Sequence, residues 1–471
     1  MMLKLKDILD ATGGALVSGG TDQFKGLSID SRTIKDGELF IPIKGERFDG
    51  HDFVDASLKT CAGALVSRQW KGRINSGDGR TIIQVDDTLQ ALQDIARFIR
   101  KGFRGPVVAI VGSNGKTTTK ELIASILGTR FKVLKTEGNL NNHIGMPLCM
   151  SHADEETGVM VLEMGTNRPG DVDLLCRIAS PDIGVITNIG FEHLEGFGSL
   201  EAVRDAELEI LPYLEKVVLN GDDDFLIGGV SLKFKGPIVT FGIGNEKHDV
   251  TANDIEAAGA GSRFVLHSSG SAFAVQSKLS GRFNIYNSLA ACAVAHTLGI
   301  GNDKIKQGLE AFGGVRMRFE IRKMRGVTYL YDVYNANPSS MKASIEELAG
   351  MAGITAGHAT PSVSRTIAVL GDMLELGEYG VSAHREVGEI LSSMGVAHLI
   401  AVGPLMKEAV ARFGGNVIAR ESSEEAGAEL AKLVREGDVV LIKGSRGMKM
   451  EKVMEVMIKG MENNAVAEGR N

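Results

Sequence analysis

Pro106-Val107-Val108-Ala109-Ile110-Val111-Gly112-Ser113-Asn114-Gly115-Lys116-Thr117-Thr118-Thr119 is the stretch whose reading decides the fold. It opens with an apolar, largely β-branched run, the composition of a strand covered on both faces. Gly112 then breaks the run, and Glu121, Leu122, Ile123, Ile126 and Leu127 carry a helical pattern onward. A strand, a tight loop ending in Gly-Lys-Thr and a helix make a phosphate cradle: backbone N–H groups and the helix N-terminus face the anion, Lys116 adds a point charge, and the Thr117 hydroxyl suits Mg²⁺. Ile110 stands where the common phosphate loop has its first Gly, so the loop is a shortened variant, Gly112-x-x-Gly115-Lys116-Thr117. The stretch predicts ATP binding through Gly112, Ser113, Asn114, Gly115, Lys116, Thr117 and Thr118.

The rest of the chain sets bounds on this reading. Its 471 residues exceed one core and predict about three domains. Lys and Arg number 52 against 59 Asp and Glu, a net charge of −7 with no long single-sign block, which argues against a nucleic-acid partner. Cys61, Cys149, Cys176 and Cys292 are scattered without a Cys-x-x-Cys pair and read as buried thiols in a reducing compartment. Asp7 and Asp10 spoil a signal peptide, and no apolar run approaches the roughly 20 residues of a membrane span, so a cytoplasmic protein is expected.

Three regions follow from the punctuation of the chain. Residues 1–104 carry strand-like pieces at Glu38–Ile43, Ala64–Val66 and Thr81–Val85 and a helical pattern from Leu89 to Phe98. A Gly/Pro linker follows at 102–106. Asp30-Ser31-Arg32 and the cluster from Lys44 to His51 read, taken alone, as surface loops.

Residues 105–314 repeat one arrangement, an apolar strand whose C-terminal end delivers a polar residue: the phosphate loop, then Glu163, then the loop of His193, then Asn220 to Asp223. In an open parallel α/β sheet such ends gather around the ligand, so Lys116, Thr117, Glu163 and His193 are expected at one nucleotide and its metal. Within a helix over 200–214, Glu207 falls inside the apolar stripe of Leu200, Val203, Ile210, Leu211 and Leu214. An inward carboxylate is neutral, paired with a basic side chain or bound to a cation. The segment 245–280 reads as irregular strands and hairpins. Asn284 and Asn287 share one side of the next helix's first turn, where amides either cap the helix or read a base edge.

Residues 315–471 again alternate strands (Val327–Tyr331, Thr366–Leu370, His398–Val402, Val439–Lys443) with helices, a second doubly wound unit. Ala352 to Ser364 reads as a surface excursion and the tail after Glu462 as frayed.

These residues resemble the Mur ligases of bacterial cell-wall synthesis. The resemblance runs from about Asp30 to Glu451 on Asp30-Ser-Arg32, Gly112 to Thr119, Gly138-Asn-Leu-Asn-Asn142, Glu163-Met-Gly165, His193-Leu-Glu-Gly-Phe197, Asp332-Val-Tyr-Asn-Ala-Asn-Pro338, Gly371-Asp-Met-Leu-Glu-Leu-Gly377 and Lys443-Gly-Ser-Arg-Gly447. The phosphate loop alone would suit any Mur or folylpolyglutamate ligase. The stretches at 334–338 and 371–377 look like the member that joins D-alanyl-D-alanine to a UDP-N-acetylmuramoyl-tripeptide. The resemblance implies three α/β domains: a smaller N-terminal one for the UDP-sugar, a central P-loop-type ATPase sheet and a C-terminal Rossmann-like sheet.

It further implies that Ser31, Arg32, Asn139, Asn141 and Asn142 handle the UDP-muramoyl substrate. Lys116 would hold the ATP phosphates, Thr117 and Glu163 one Mg²⁺, His193 a second, and Asn284 and Asn287 the adenine. Asp332, Arg316 or Arg318, and the loop through Tyr334, Asn335 and Asn337 would close over ATP. A monomer using ATP, two Mg²⁺ and those two substrates is expected. Three positions depart from the family pattern: Phe283 stands where a His is frequent, His143 where an acid is usual, and Glu207 where a carbamylated lysine holds the second Mg²⁺. Glu207 reaches less far than that lysine, and is expected to act on the metal through a bridging water.

Overall fold

The computed structural model describes residues 3–72, 79–244, 247–355, 358–359 and 364–468. Among them the N-terminal region forms a five-stranded sheet from β1 (Ala15–Ser18), β2 (Gly26–Ser28), β3 (Glu38–Phe40), β4 (Gly63–Ser67) and β5 (Thr81–Val85), ordered β1-β5-β4-β3-β2. β2 to β5 pair in parallel, and β1 runs antiparallel to β5. The strand expected over 38–43 stops at Phe40, because Pro42 has no N–H to extend the ladder.

Asp87 caps α1 (Thr88–Gly102) by accepting from the Leu89 and Gln90 N–H groups. The buried face of α1, Leu92, Ile95 and Ile99, shares one core with Val107 and Val111 of the next sheet. A separate small cluster of Ile34, Phe40, Val54, Cys61, Ala64, Val66 and Ile82 has Trp70, the only tryptophan of the chain, packed against it.

The central region contains β6 (Val107–Val111), α2 (Lys116–Leu127), β7 (Lys132–Lys135), β8 (Thr157–Glu163), β9 (Ile183–Ile186), α3 (Leu200–Glu207) and β10 (Lys216–Asn220). It continues through β11 (Ile238–Ile243), β12 (Val250–Ala258), β13 (Gly261–Ser268), β14 (Ser271–Ser277) and α4 (Arg282–Thr297). The nine strands are ordered β14-β13-β12-β11-β10-β9-β6-β8-β7 and are parallel from β7 through β12. After β6 the chain goes to one edge, returns beside β6 as β8, then crosses to its other side as β9. The phosphate loop therefore opens at a reversal of strand order, where open α/β sheets bind ligands.

One expectation is corrected here and another is met. The helix read over 200–214 ends at Glu207 and tightens to a 3₁₀ turn at Leu208–Tyr213, because Pro212 withholds an N–H and crowds the preceding turn. Apart from 245–246, which lie outside the described residues, the segment 245–280 forms the hairpins expected of it: β12 to β14 make an antiparallel meander on the edge of the sheet, with a register shift between Asn253 and Glu256. Its cue was Ser269-Gly270, both at positive φ (52° and 74°), the two-residue hairpin geometry.

The C-terminal region comprises β15 (Glu320–Met324), β16 (Val327–Asp332), α5 (Pro338–Met351), β17 (Thr366–Gly371), β18 (His398–Val402), β19 (Asn416–Arg420), β20 (Val439–Lys443) and α6 (Glu451–Glu468). Its sheet is ordered β15-β16-β20-β17-β18-β19 and is parallel except for β15. Within the excursion read over 352–364, Ile354–Thr355 pairs with His358–Ala359, while 356–357 and 360–363 lie outside the described residues. The tail read as frayed after Glu462 instead continues α6 to Glu468, and 469–471 lie outside the described residues.

Candidate active site

The phosphate loop is held open by its neighbours. Gly112 and Gly115 sit at φ 116° and 84°, conformations that suit glycine. A Cβ on Gly112 would strike Thr187, and one on Gly115 would strike the Asn287 amide oxygen, so neither position has room for a side chain. Asn188, just past β9, braces the loop from below: its carbonyl accepts from Ser113 N–H at 2.9 Å, and its side chain bridges Asn114 N–H (3.1 Å) and Asn114 C=O (2.9 Å). Ser113 Oγ accepts from Gly190 N–H at 2.8 Å. The loop thus delivers the N-terminus of α2 and Lys116 into a cavity of about 860 Å³.

Buried carboxylates surround that lysine. Glu163, at the end of β8, is 3% exposed; its Oε1 accepts from Asn141 Nδ2 at 2.9 Å, and Lys120 Nζ lies 3.6 Å from its Oε2. Glu192, 7% exposed, places Oε2 3.6 Å from Lys116 Nζ. Glu207, fully buried, accepts from Gly112 N–H through Oε2 at 2.8 Å, beneath the loop. Lys116 itself donates to the Gly112 and Ser113 carbonyls. Burial would pull its ammonium pKa down, but Glu192, Glu207 and Glu163 outweigh burial and hold it above the ordinary lysine value.

Burial pushes Glu192 up to about 8, partly opposed by Lys116, and burial raises Glu207 as well. A carboxyl raised in this way stabilises the fold fully below the unfolded value near 4.5, and that contribution fades as pH climbs through about 8. The melting temperature of the nucleotide-free, metal-free chain should therefore fall between pH 5 and 8. Glu192→Gln should flatten the fall, and an unchanged slope in that variant would remove Glu192 as its source.

The third sheet closes the cavity. Asn337 caps α5 by accepting from Ser340 N–H at 2.9 Å and donates to Asn114 Oδ1 at 2.9 Å, while Asn114 Nδ2 reaches Ser339 Oγ at 3.2 Å. A second clasp joins the loop after β9 to the loop after β17. His193 Nδ1 lies 2.6 Å from Glu375 Oε2, the Glu375 carbonyl accepts from Glu195 N–H at 3.1 Å, and Phe191 meets Tyr379 at 6.4 Å between ring centroids. His193 is held at φ 47°, and its pKa is lowered by burial against the pull of Glu375. With Nδ1–H given to Glu375, Nε2 keeps a free lone pair. Asp332 at the end of β16 is engaged by Lys443 Nζ, Ser344 Oγ (3.0 Å) and Phe319 N–H (3.2 Å). Arg318 stacks over the Tyr334 ring at 4.0 Å.

Of the residues expected at the site, Ser113 to Thr118, Glu163, His193, Asn139, Asn141, Asn142, Asn284, Asn287, Arg318, Asp332, Tyr334, Asn335 and Asn337 all line this one cavity. Gly112 and Glu207 lie beneath the loop and touch each other. Ser31 and Arg32 are not among its lining residues; Arg32 is turned onto Asp30 at 2.7 Å with its side chain 84% exposed.

Several amides are spent within the protein. Asn142 accepts from Ile144 and Gly145 N–H, the turn of a short helix. Asn284 is not the cap of α4, a position held by Gly281: it donates to Ser280 C=O, accepts from Asn287, and Asn287 accepts from Thr119 Oγ1 at 3.2 Å. Asn287 therefore buttresses the phosphate loop, and Asn337 serves as cap and clasp while both line the cavity. Sequence reasoning missed Glu192, Lys120, Glu375 and Lys443. Glu192 had a local cue as a carboxylate next to His193 in a strand-end loop, and Glu375 and Lys443 lay within the quoted stretches 371–377 and 443–447; Lys120 had none.

Models of known families match in three places: the Mur ligase family catalytic domain over 23–100, the Mur ligase middle domain over 110–295, and the Mur ligase glutamate ligase domain over 317–446. A UDP-N-acetylmuramoyl-tripeptide--D-alanyl-D-alanine ligase from Bacillus subtilis is 34% identical over 97% of this chain and 98% of its own. A crystal structure of MurF from Acinetobacter baumannii aligns with a TM-score of 0.87 at 30% identity, over 97% of this chain and 99% of that one. MurF ligase from Thermotoga maritima in complex with ADP aligns at 0.80 with 32% identity, over 93% and 98%.

Proposed function

The chain belongs to the Mur ligase family, and from that premise we propose how its residues divide the work of an ATP-dependent ligase that joins D-alanyl-D-alanine to UDP-N-acetylmuramoyl-tripeptide in peptidoglycan precursor synthesis. Residues 1–104 take the UDP-sugar through Ser31 and Arg32, residues 105–314 take ATP, and residues 315–471 close over it. The observation that carries the reading is the convergence of Lys116, Thr117, Glu163, His193 and the loop of the third sheet on one cavity at the reversal of strand order.

The chemistry sets what those residues must do. A carboxylate is a poor acyl donor, because oxide would have to leave. In-line attack of the tripeptide carboxylate on the ATP γ-phosphorus forms an acyl phosphate and releases ADP. The amine of D-alanyl-D-alanine then attacks the acyl carbon, phosphate departs, and an amide remains. Lys116 and the N–H groups at the start of α2 offset the charge gathering on the phosphoryl oxygens. Arg318, stacked on Tyr334, adds a cation from the opposite wall.

The donor set suits a hard divalent cation: Thr117 Oγ1, Glu163 Oε2 and Glu207 Oε1 are buried without hydrogen-bond partners. Thr117 and Glu163 would hold one Mg²⁺, and His193 Nε2 with Glu207 a second. Bound there, Mg²⁺ supplies neutralisation of phosphate charge. The Asn114–Asn337 and His193–Glu375 clasps keep water from the acyl phosphate by seating the third domain on the loop. Among the described residues no helix is long and apolar enough to cross a membrane.

The test is ADP release with UDP-N-acetylmuramoyl-tripeptide and D-alanyl-D-alanine, supplied singly and together. Turnover is expected only with both, and without response to added bicarbonate, since no lysine carbamate forms at Glu207. Release that ignores either acceptor would sink the assignment.

A further inference from the structure

We propose that Glu192 is a metal-ligating residue of this site, forming with Glu207 a carboxylate pair that holds a divalent cation against the nucleotide phosphates. The inference rests on the ATP-site reading above and adds to it a residue that neither the motifs nor the family resemblance singled out.

Geometry leads to the pair. Glu207 spends Oε2 on Gly112 N–H at 2.8 Å, and Glu192 turns Oε2 toward Lys116 at 3.6 Å. The remaining oxygen of each, Glu192 Oε1 and Glu207 Oε1, is buried and has no hydrogen-bond partner. Two carboxyl groups that face each other in a buried site need a proton or a cation between them, and the pair therefore suits a cation. Glu192 also lines the cavity that takes the nucleotide, beside Lys116.

Charge counting gives the ligand its sign. Glu163 has its own compensation in Lys120, which is fully buried with Nζ 3.6 Å away, and in the Asn141 amide. Glu192 and Glu207 face each other and share one cation, Lys116, so without a metal the pair is not doubly ionised. Once Lys116 engages ATP phosphates, it stands between two carboxylates and a polyanion, and a single positive charge is too little for both. A divalent cation placed between the pair and the phosphates restores the balance that Lys116 gives up. Among the described residues no three of His, Cys, Asp and Glu gather closely enough to bind a metal unaided. That count suits Mg²⁺, which takes one or two carboxylates and completes its octahedron with phosphate oxygens and water. Glu192 thereby joins the role first given to His193 with Glu207, whose reach toward the phosphates is short.

The experiment counts bound Mn²⁺ by electron paramagnetic resonance on the full chain with a non-hydrolysable ATP analogue. Wild type is expected to bind two Mn²⁺. Glu192→Gln, nearly isosteric and still able to hydrogen-bond, should retain the analogue and one Mn²⁺ while weakening the other by at least about tenfold. Glu207→Gln should weaken the same ion, and Glu163→Gln the other one. Two Mn²⁺ bound with wild-type affinity in Glu192→Gln would overturn the proposal and leave the ATP reading standing. Failure of wild type to bind the analogue would overturn both.

Discussion

Lys116→Met should lower turnover in the two-acceptor assay by about a thousandfold or more, the scale seen when a preorganised charge facing the reacting group is removed. Methionine keeps the length and apolar stem of the side chain, so the loop backbone, braced independently by Asn188 and Gly190, has no reason to collapse. What disappears is the one ammonium that Glu192, Glu207 and Glu163 all face. The variant therefore loses phosphate stabilisation and leaves buried carboxylates opposite the incoming polyanion. Single-turnover ADP formation at saturating substrates separates chemistry from product release. A loss confined to the Michaelis constant would show Lys116 to be a binding group with no part in the phosphoryl step.

The largest stability effect is expected at Lys443→Met. Lys443, 2% exposed at the end of β20, holds Asp332 on the neighbouring strand and the Asn335 carbonyl. Removing one member of a buried pair leaves the other charge uncompensated and costs about 3–5 kcal/mol. For a domain of this size that corresponds to a fall in its transition of roughly 10 °C in calorimetry of the intact chain. Pairing the change with Asp332→Asn should recover much of the loss, because the neutral amide no longer needs the ammonium. A transition unmoved in Lys443→Met would show that Ser344 Oγ and Phe319 N–H suffice for Asp332.

The central strands and the phosphate loop were legible because β6, β8, β9 and β10 are covered on both faces and read as unbroken apolar runs. The edges were not. β15 carries Arg322 and Lys323, and β19 is largely exposed, so neither shows the contrast between a wet and a dry face. In the site, Glu163 and His193 were legible as strand-end residues. Lys120 was not, because a charged residue that is buried by partners distant in sequence looks like any surface residue. Lys120 sits among Thr119 and Glu121 in an ordinary first helical turn, yet its ammonium reaches the Thr136 carbonyl at 2.7 Å. Asn287 carries a role its sequence position did not show: an amide lining the cavity also holds the loop by accepting from Thr119 Oγ1 and donating to Asn284.

The place of the only tryptophan has an optical consequence. Trp70 packs against the small cluster of the N-terminal sheet, while the third domain contributes tyrosines such as Tyr329 and Tyr331 to its own core. Emission excited selectively at the indole therefore reports one domain of three. Red-shift on unfolding marks the loss of the N-terminal domain and is blind to β20 letting go of β16. Calorimetric and fluorescence melts of this chain need not coincide, and a gap between them measures how independently the first domain unfolds from the third.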